Sequence, residues 1–297
     1  MISLAVFLKL IASKLPMLIG AMNNPKHDIL SELKLFGEFS FDYVEITVEA
    51  PAAHPPKIEK KKAKIQEILK SYNFGVLAHL PWFLHLAHPY ESLVNASMHE
   101  FKQAMLSAHS LGAKKVTIHP EFMPNLYAEK DLLYTQMSSS LCELADFCRA
   151  HSMELLLENF DAQALSPKDM SRLLTDAKIG MTFDIGHAHM WNGRVEDFLN
   201  THGIKGKIAH VHLHDNFLKE DAHLPLGVGK INLKKVIGEL KGFYDGTITL
   251  EIHSPDRDYL QISRDKLEIL WYGKRKFEEN RKYYFPQDAK FVPQDVE

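Results

Sequence analysis

The chain has 297 residues, 45% of them hydrophobic and 25% charged, with a formal net charge of −3. That is the composition of a soluble globular protein, and its charge excludes a strong overall pull toward nucleic acid or an anionic membrane. Only two cysteines are present, Cys142 and Cys148, on different faces of a segment that reads as helix. This predicts no disulfide framework and fits a reducing, cytoplasmic setting.

No run approaches the roughly 18–20 apolar residues of a membrane-spanning helix. The first segment, "MISLAVFLKLIASKLP", lacks a charged n-region and a small-residue cleavage site, so it does not read as a signal peptide. Leu4, Phe7, Leu8, Ile11 and Leu15 follow helical spacing. Residues 1–16 are therefore read as an amphipathic extension, packed on the main domain or lying at an interface. Beyond it, short apolar runs alternate eight times with longer amphipathic ones. The predicted strands are 17–22, 43–48, 75–80, 115–120, 153–160, 179–185, 208–214 and 247–253. Helical patterns lie near 28–37, 56–71, 91–111, 128–151, 167–176, 194–202, 231–241 and 256–276. Strand–helix alternation implies parallel strands joined by crossovers, and eight repeats close a (β/α)8 barrel. An open doubly wound sheet lacks support, because no G-x-G-x-x-G or P-loop follows any strand. One domain over residues 17–276 is expected, followed by a polar tail over 277–297.

In such barrels the residues at the carboxyl ends of the strands converge on one mouth. Six consecutive strands carry a carboxylate or an imidazole there. They are His79 on the third strand, His119 on the fourth and Glu158 on the fifth. Asp184 ends the sixth with His187 behind it, His212 lies on the seventh with Asp221 and His223 in its loop, and Glu251 lies on the eighth. Period-two alternation turns Thr182 and Asp184 to one face, and His210, His212 and His214 likewise. Three carboxylates in a barrel mouth repel one another and lose hydration, and a divalent cation relieves both penalties. Mixed imidazole and carboxylate donors suit zinc, manganese or iron.

The runs "HLPWFLHLAHP", "TIHP", "LLLENF", "FDIGHAH", "VHLHDNFLKEDAHLPLGVGKI" and "LEIHSPD" together resemble the motif series of the endonuclease IV and xylose isomerase-like barrel superfamily. The resemblance implies up to three metal ions, usually zinc. His79 and His119 would hold the first, with Glu158 bridging to the second. Asp184, His212 and Glu251 would complete the second, and His187, Asp221 and His223 would hold the third. His214 is left as a substrate contact or a support for a ligand, and His210 as inner packing.

Two reactions follow from the resemblance. The first is metal-assisted hydrolysis of a phosphoester on a sugar-phosphate-type substrate, favoured by the complete nine-residue set. The second is isomerisation or epimerisation of a sugar or sugar phosphate around a single metal held by Glu158, Asp184, His212 and Glu251. In that case Glu158 and Glu251 would be the acid–base pair. A catalytically silent metal-binding module is the third possibility. Trp82 and Phe83 could stack on a sugar or base. The mouth is poor in arginine, so weak binding to duplex DNA is expected, because phosphate contacts dominate that affinity.

Overall fold

Each strand of this chain carries two kinds of side chain in alternation, and the structure separates them. The computed structural model describes residues 17–121, 130–160 and 165–275. Its eight strands are β1 (Leu18–Met22), β2 (Tyr43–Thr47), β3 (Gly75–His79), β4 (Lys115–Ile118), β5 (Glu154–Glu158), β6 (Gly180–Asp184), β7 (Ile208–Leu213) and β8 (Thr247–Leu250). All pair in parallel, in sequence order, and β8 closes on β1. The helices are α1 (Ile29–Glu38), α2 (Pro55–Ser71), α3 (Glu91–Ser110), α4 (Lys130–Ala150), α5 (Pro167–Asp176), α6 (Ile185–Asn192), α7 (Glu196–Leu199), α8 (Leu233–Leu240) and α9 (Asp258–Tyr272). The predicted (β/α)8 barrel is therefore the fold. The predicted extension (1–16) and tail (277–297) lie outside the described residues. No helix of the described residues is long and apolar enough to cross a membrane.

The apolar side chains that face outward form the main core. Val44 and Ile46, Val76 and Ala78, Val116 and Ile118, Leu155 and Leu157, Val211 and Leu213, and Ile248 and Leu250 are all buried in one cluster under the helices. Their inward neighbours are largely polar. Tyr43 reaches across the barrel floor to Thr249 (2.8 Å), and Thr117 meets Thr182 (2.8 Å). Gly20 makes room for this floor, since a Cβ there would stand 2.3 Å from the Tyr43 ring.

Helix boundaries follow local chemistry. Asp28 caps α1 by accepting from Leu30 and Ser31, and Ser166 caps α5, whose first residue is Pro167. The sequence reading differs most after β6. It placed one helix near 194–202, whereas α6 begins at Ile185, directly on the strand, and α7 is a separate turn. The cause is Asp184, the last residue of β6, whose side chain also accepts the His187 backbone N–H as the cap of α6. Gly193, at φ 76°, ends that helix in the left-handed conformation that suits glycine.

Two local devices level the strand ends. The register between β6 and β7 shifts after Met181, so that Thr182 pairs with His210 and Asp184 with His212. The displaced carbonyl of Ala209 accepts from Lys115 Nζ at 2.6 Å. Behind β7, the buried Asp215 carboxylate accepts from the backbone N–H groups of Asn216 (2.9 Å), Gly227 (2.8 Å) and Ile231 (3.1 Å). It folds back the loop that carries Asp221 and His223. Asp215→Ala would leave three N–H groups without an acceptor, so a loss of about 3 kcal/mol is expected in urea denaturation. A loss below about 1 kcal/mol would mean that water replaces the carboxylate and that it does not hold the loop.

Candidate functional site

The nine residues drawn from the strand ends all meet at one mouth. Their donor atoms form overlapping groups, within each of which the atoms lie within 4.8 Å of one another, and three of these groups take in all nine residues. One group is His79, His119 and Glu158. The second is Glu158, Asp184, His212 and Glu251. The third is His187, Asp221 and His223, joined by His214. His119 and Glu251 sit one residue past β4 and β8, His187 lies in the first turn of α6, and the others stand near strand ends or in the loop behind β7.

Four of the imidazoles are aimed by a bond from the other nitrogen, whereas His119 Nδ1 has no such partner. His79 Nδ1 lies 2.8 Å from the Leu80 carbonyl, His187 Nδ1 lies 3.0 Å from the Asn159 carbonyl, and His223 Nδ1 lies 3.1 Å from the Glu251 carbonyl. In each case Nε2 is left for the mouth. His79 Nε2 stands 3.1 Å from His119 Nε2, and His187 Nε2 and His223 Nε2 stand 3.2 and 3.0 Å from Asp221 Oδ2. His212 is turned the other way. Its Nε2 lies 3.0 Å from Glu45 Oε2, so Nδ1 faces Glu158 and Glu251. Such outer partners fix a tautomer and ring orientation, as they do around metal sites.

The carboxylates are held with equal care. Asn159 clamps the ends of β5 and β6, accepting from Asp184 N (2.9 Å) and donating to Asp184 O (2.7 Å). Burial opposes the charge on Glu158, but His212 and His119 hold its carboxyl well below the usual range. Burial likewise opposes the charge on Asp184, and His187 and His214 keep its carboxyl low. Among the imidazoles, His79, His187, His212 and His223 shift upward, whereas burial lowers His119. Burial would lower His223, yet its bond to Asp221 raises it to about 9. His187 is raised well above its ordinary value against burial, chiefly by Asp184.

The test of fit for a cation lies in the atoms left over. Glu158 Oε1, Asp184 Oδ2, His212 Nδ1 and Glu251 Oε2 are buried and have no hydrogen-bond partner. One orphaned donor atom therefore comes from each member of a single four-residue group. Three carboxylate oxygens and an imidazole nitrogen gathered in one group match the chemistry of a divalent cation. The residues present fit such an ion.

A cavity of about 260 Å³ opens over these groups, lined by His79, His119, His187, Asp221, His223 and Glu251 together with Met22, Asn23, Pro25, Thr47, Glu49, Trp82, Phe160 and His253. No lysine or arginine lines it among the described residues. Trp82 is at this rim, whereas Phe83 lines a neighbouring groove of about 690 Å³ beside α2 and α3. His214 does not line the cavity. It is fully buried, 3.3 Å from Asp184 and 3.5 Å from Asp221, under Gly186, where a Cβ would stand 2.1 Å from its ring. His210 is buried inside the barrel, bonded to Glu45 (2.9 Å) and Thr247 (2.7 Å).

Sequence reasoning missed Glu45, Thr47, Glu49, Asn159 and His253. The signal for the first two was present: Tyr43, Glu45 and Thr47 alternate with Val44 and Ile46, which turns them inward. His253 stacks on His223 at 4.2 Å and lines the cavity.

Comparison with known proteins gives a consistent picture. A family model described as xylose isomerase-like TIM barrel matches residues 33–271. An uncharacterized protein of Methanocaldococcus jannaschii is 28% identical over 259 residues, 80% of this chain and 87% of the relative. A probable endonuclease 4 of Aquifex aeolicus is 23% identical over 260 residues, 80% of this chain and 92% of the relative. The crystal structure of a D-tagatose 3-epimerase-like protein superposes with a TM-score of 0.74 at 28% identity, covering 86% of this chain and 97% of that one.

Since His223 is raised to about 9, it carries a proton near neutrality, which a cation bound at the His187–Asp221–His223 group would displace. Cation uptake after chelation should therefore release at least one proton per chain at pH 7.5, and the release should fade above about pH 9. Calorimetric titration with Zn²⁺ in buffers of different protonation enthalpy measures this directly. Heats that do not depend on the buffer would contradict it.

Proposed function

The chain belongs to the xylose isomerase-like TIM-barrel family, and from that premise we propose that it is a divalent-metal-dependent epimerase or isomerase of a small sugar. The observation that carries this reading is the convergence of four orphaned atoms from Glu158, Asp184, His212 and Glu251 on one point. These four residues would hold the ion. A bound cation would polarise the substrate carbonyl and a neighbouring hydroxyl, which acidifies the C–H between them.

The chain's own groups do the rest. Glu158 and Glu251 come from strands on opposite sides of β6 and β7, and both are buried carboxylates. One takes the proton from the carbon beside the carbonyl. The other returns a proton to the opposite face for epimerisation, or to the neighbouring carbon for isomerisation. Glu45 keeps His212 in the tautomer that presents Nδ1. Trp82 and Phe160 supply apolar faces for the C–H side of a sugar. The likeness to the D-tagatose 3-epimerase-like protein supports the same class. The sequence alone ranked phosphoester hydrolysis first. The absence of lysine and arginine around the described cavity supports the reverse order.

One observation keeps hydrolysis as a second reading. The groups His79–His119–Glu158 and His187–Asp221–His223 are fully formed beside the core, and a single-metal reaction does not need them. The relative from Aquifex aeolicus points the same way. In that reading three ions would neutralise a phosphate and its leaving oxygen.

The two readings separate in one experiment. The manganese- or zinc-loaded protein is incubated with a panel of ketoses and aldoses in D₂O, and with phosphoesters including an abasic duplex. Deuterium incorporation next to the carbonyl is the expected result. Glu158→Gln and Glu251→Gln should each lower it about 10²–10⁴-fold, the usual scale of general acid–base catalysis. Asp221→Ala should leave it within about threefold, since no charge develops at that position in the proton transfer. Phosphoester hydrolysis lost about 10²–10³-fold in Asp221→Ala, with no deuterium uptake in the parent chain, would replace epimerisation by hydrolysis.

A further inference from the structure

The wall of the cavity farthest from the bridging carboxylate is built from β1 and β2, which stand across the closed barrel from β5 and β6. Three polar side chains on this wall have an atom without a hydrogen-bond partner: Asn23 Nδ2, Thr47 Oγ1 and Glu49 Oε2. Their residues are only 2%, 5% and 8% exposed, and all three line the cavity. Their other atoms are accounted for. Asn23 Oδ1 accepts from Thr47 N at 2.9 Å, which fixes the amide so that its NH₂ is the spare group. The Trp82 backbone N–H bonds the Glu49 carboxylate. Buried polar groups are otherwise satisfied at high frequency, so three on one wall of one cavity point to a ligand.

The order of these groups defines the ligand. An amide NH₂ donates, a hydroxyl both donates and accepts, and a carboxylate accepts. A cation does not suit a wall that includes an NH₂ donor. A phosphate does not suit one that includes a carboxylate. Hydroxyl groups, each able to give and to take a hydrogen bond, match all three. We infer that Asn23, Thr47 and Glu49 form a polyol-recognition wall that binds the hydroxyls at the unreacting end of a neutral, unphosphorylated sugar. This rests on the sugar reading of the site and adds to it the substrate class and the residues that select it.

Removing an unsatisfied buried polar group does not weaken the fold, whereas removing a ligand contact weakens binding. The test uses that contrast. The manganese-loaded chain, Thr47→Val and Glu49→Gln are titrated with D-fructose and with sorbitol by calorimetry, and their thermal midpoints are recorded. Thr47→Val preserves shape and removes only the hydroxyl. Both variants should bind the sugars about tenfold more weakly, with midpoints no lower than the parent's. A parallel titration with D-fructose 6-phosphate should show no preference over D-fructose. Unchanged affinity in both variants, a lower midpoint with unchanged affinity, a preference for the phosphorylated sugar, or no sugar binding by the parent would each overturn the inference. Because binding is read without turnover, the epimerase reading fails separately: the parent would bind sugar, the variants would lose it, and no deuterium would enter the ligand.

Discussion

The structure turns on the buried carboxylate of Glu158. Four imidazoles stand around it: His79 at 3.2 Å and His119 at 3.1 Å from one oxygen, His187 at 3.2 Å and His212 at 3.3 Å from the other. A carboxylate with no exposure cannot stay ionised unless its surroundings replace the lost hydration. Here the rings come from β3, from the segments just after β4 and β6, and from β7. The charge of one residue thus depends on the barrel closing in register. The bulge that levels β7 with β6, the Asn159 clamp and the Asp215 anchor are the backbone devices that bring those rings to it. The same crowding makes the mouth selective, because a cation that enters must displace protons already shared between carboxylates and imidazoles.

Below this hub lies a second polar layer that serves the first. Glu45 is fully buried and accepts from both His210 and His212. His210 continues the network to Thr247 and Thr249, and Thr249 meets Tyr43. The side-chain polar atoms of Glu45, His210, Thr249 and Tyr43 all have protein partners. Unpaired atoms appear one layer higher, at the mouth and along the β1–β2 wall. A satisfied floor under an unsatisfied mouth is the pattern of a site prepared for a charged ion on one side and a hydroxylated ligand on the other.

Much of this was legible in the sequence. Strand–helix alternation specified the barrel, because a parallel strand buried on both faces reads as a compact apolar run. The nine residues at the mouth were legible because each lies near a strand end or in the segment directly behind it, where barrel geometry sets the position. What escaped depended on contacts between strands. Glu45 lies in the middle of β2, where only pairing with β7 across the barrel interior gives it a role. Asn23 and Glu49 follow their strands and look like ordinary loop residues until the cavity surrounds them. His214 shares its inward face with His212, as alternation required. Its ring is buried beneath Gly186, a consequence of α6 starting directly on β6. That helix start was itself hidden, because Asp184 reads equally well as a strand end and as a cap.

The central claim is that Glu158, Asp184, His212 and Glu251 seat the ion on which the chemistry depends. Anomalous diffraction from crystals grown with Mn²⁺ at limiting concentration, recorded on both sides of the manganese edge, addresses it without any assumption about substrate. The account predicts the first and strongest peak among these four residues, at ligand distances of about 2.0–2.3 Å. A first peak between His187, Asp221 and His223, with none among the four, would contradict it.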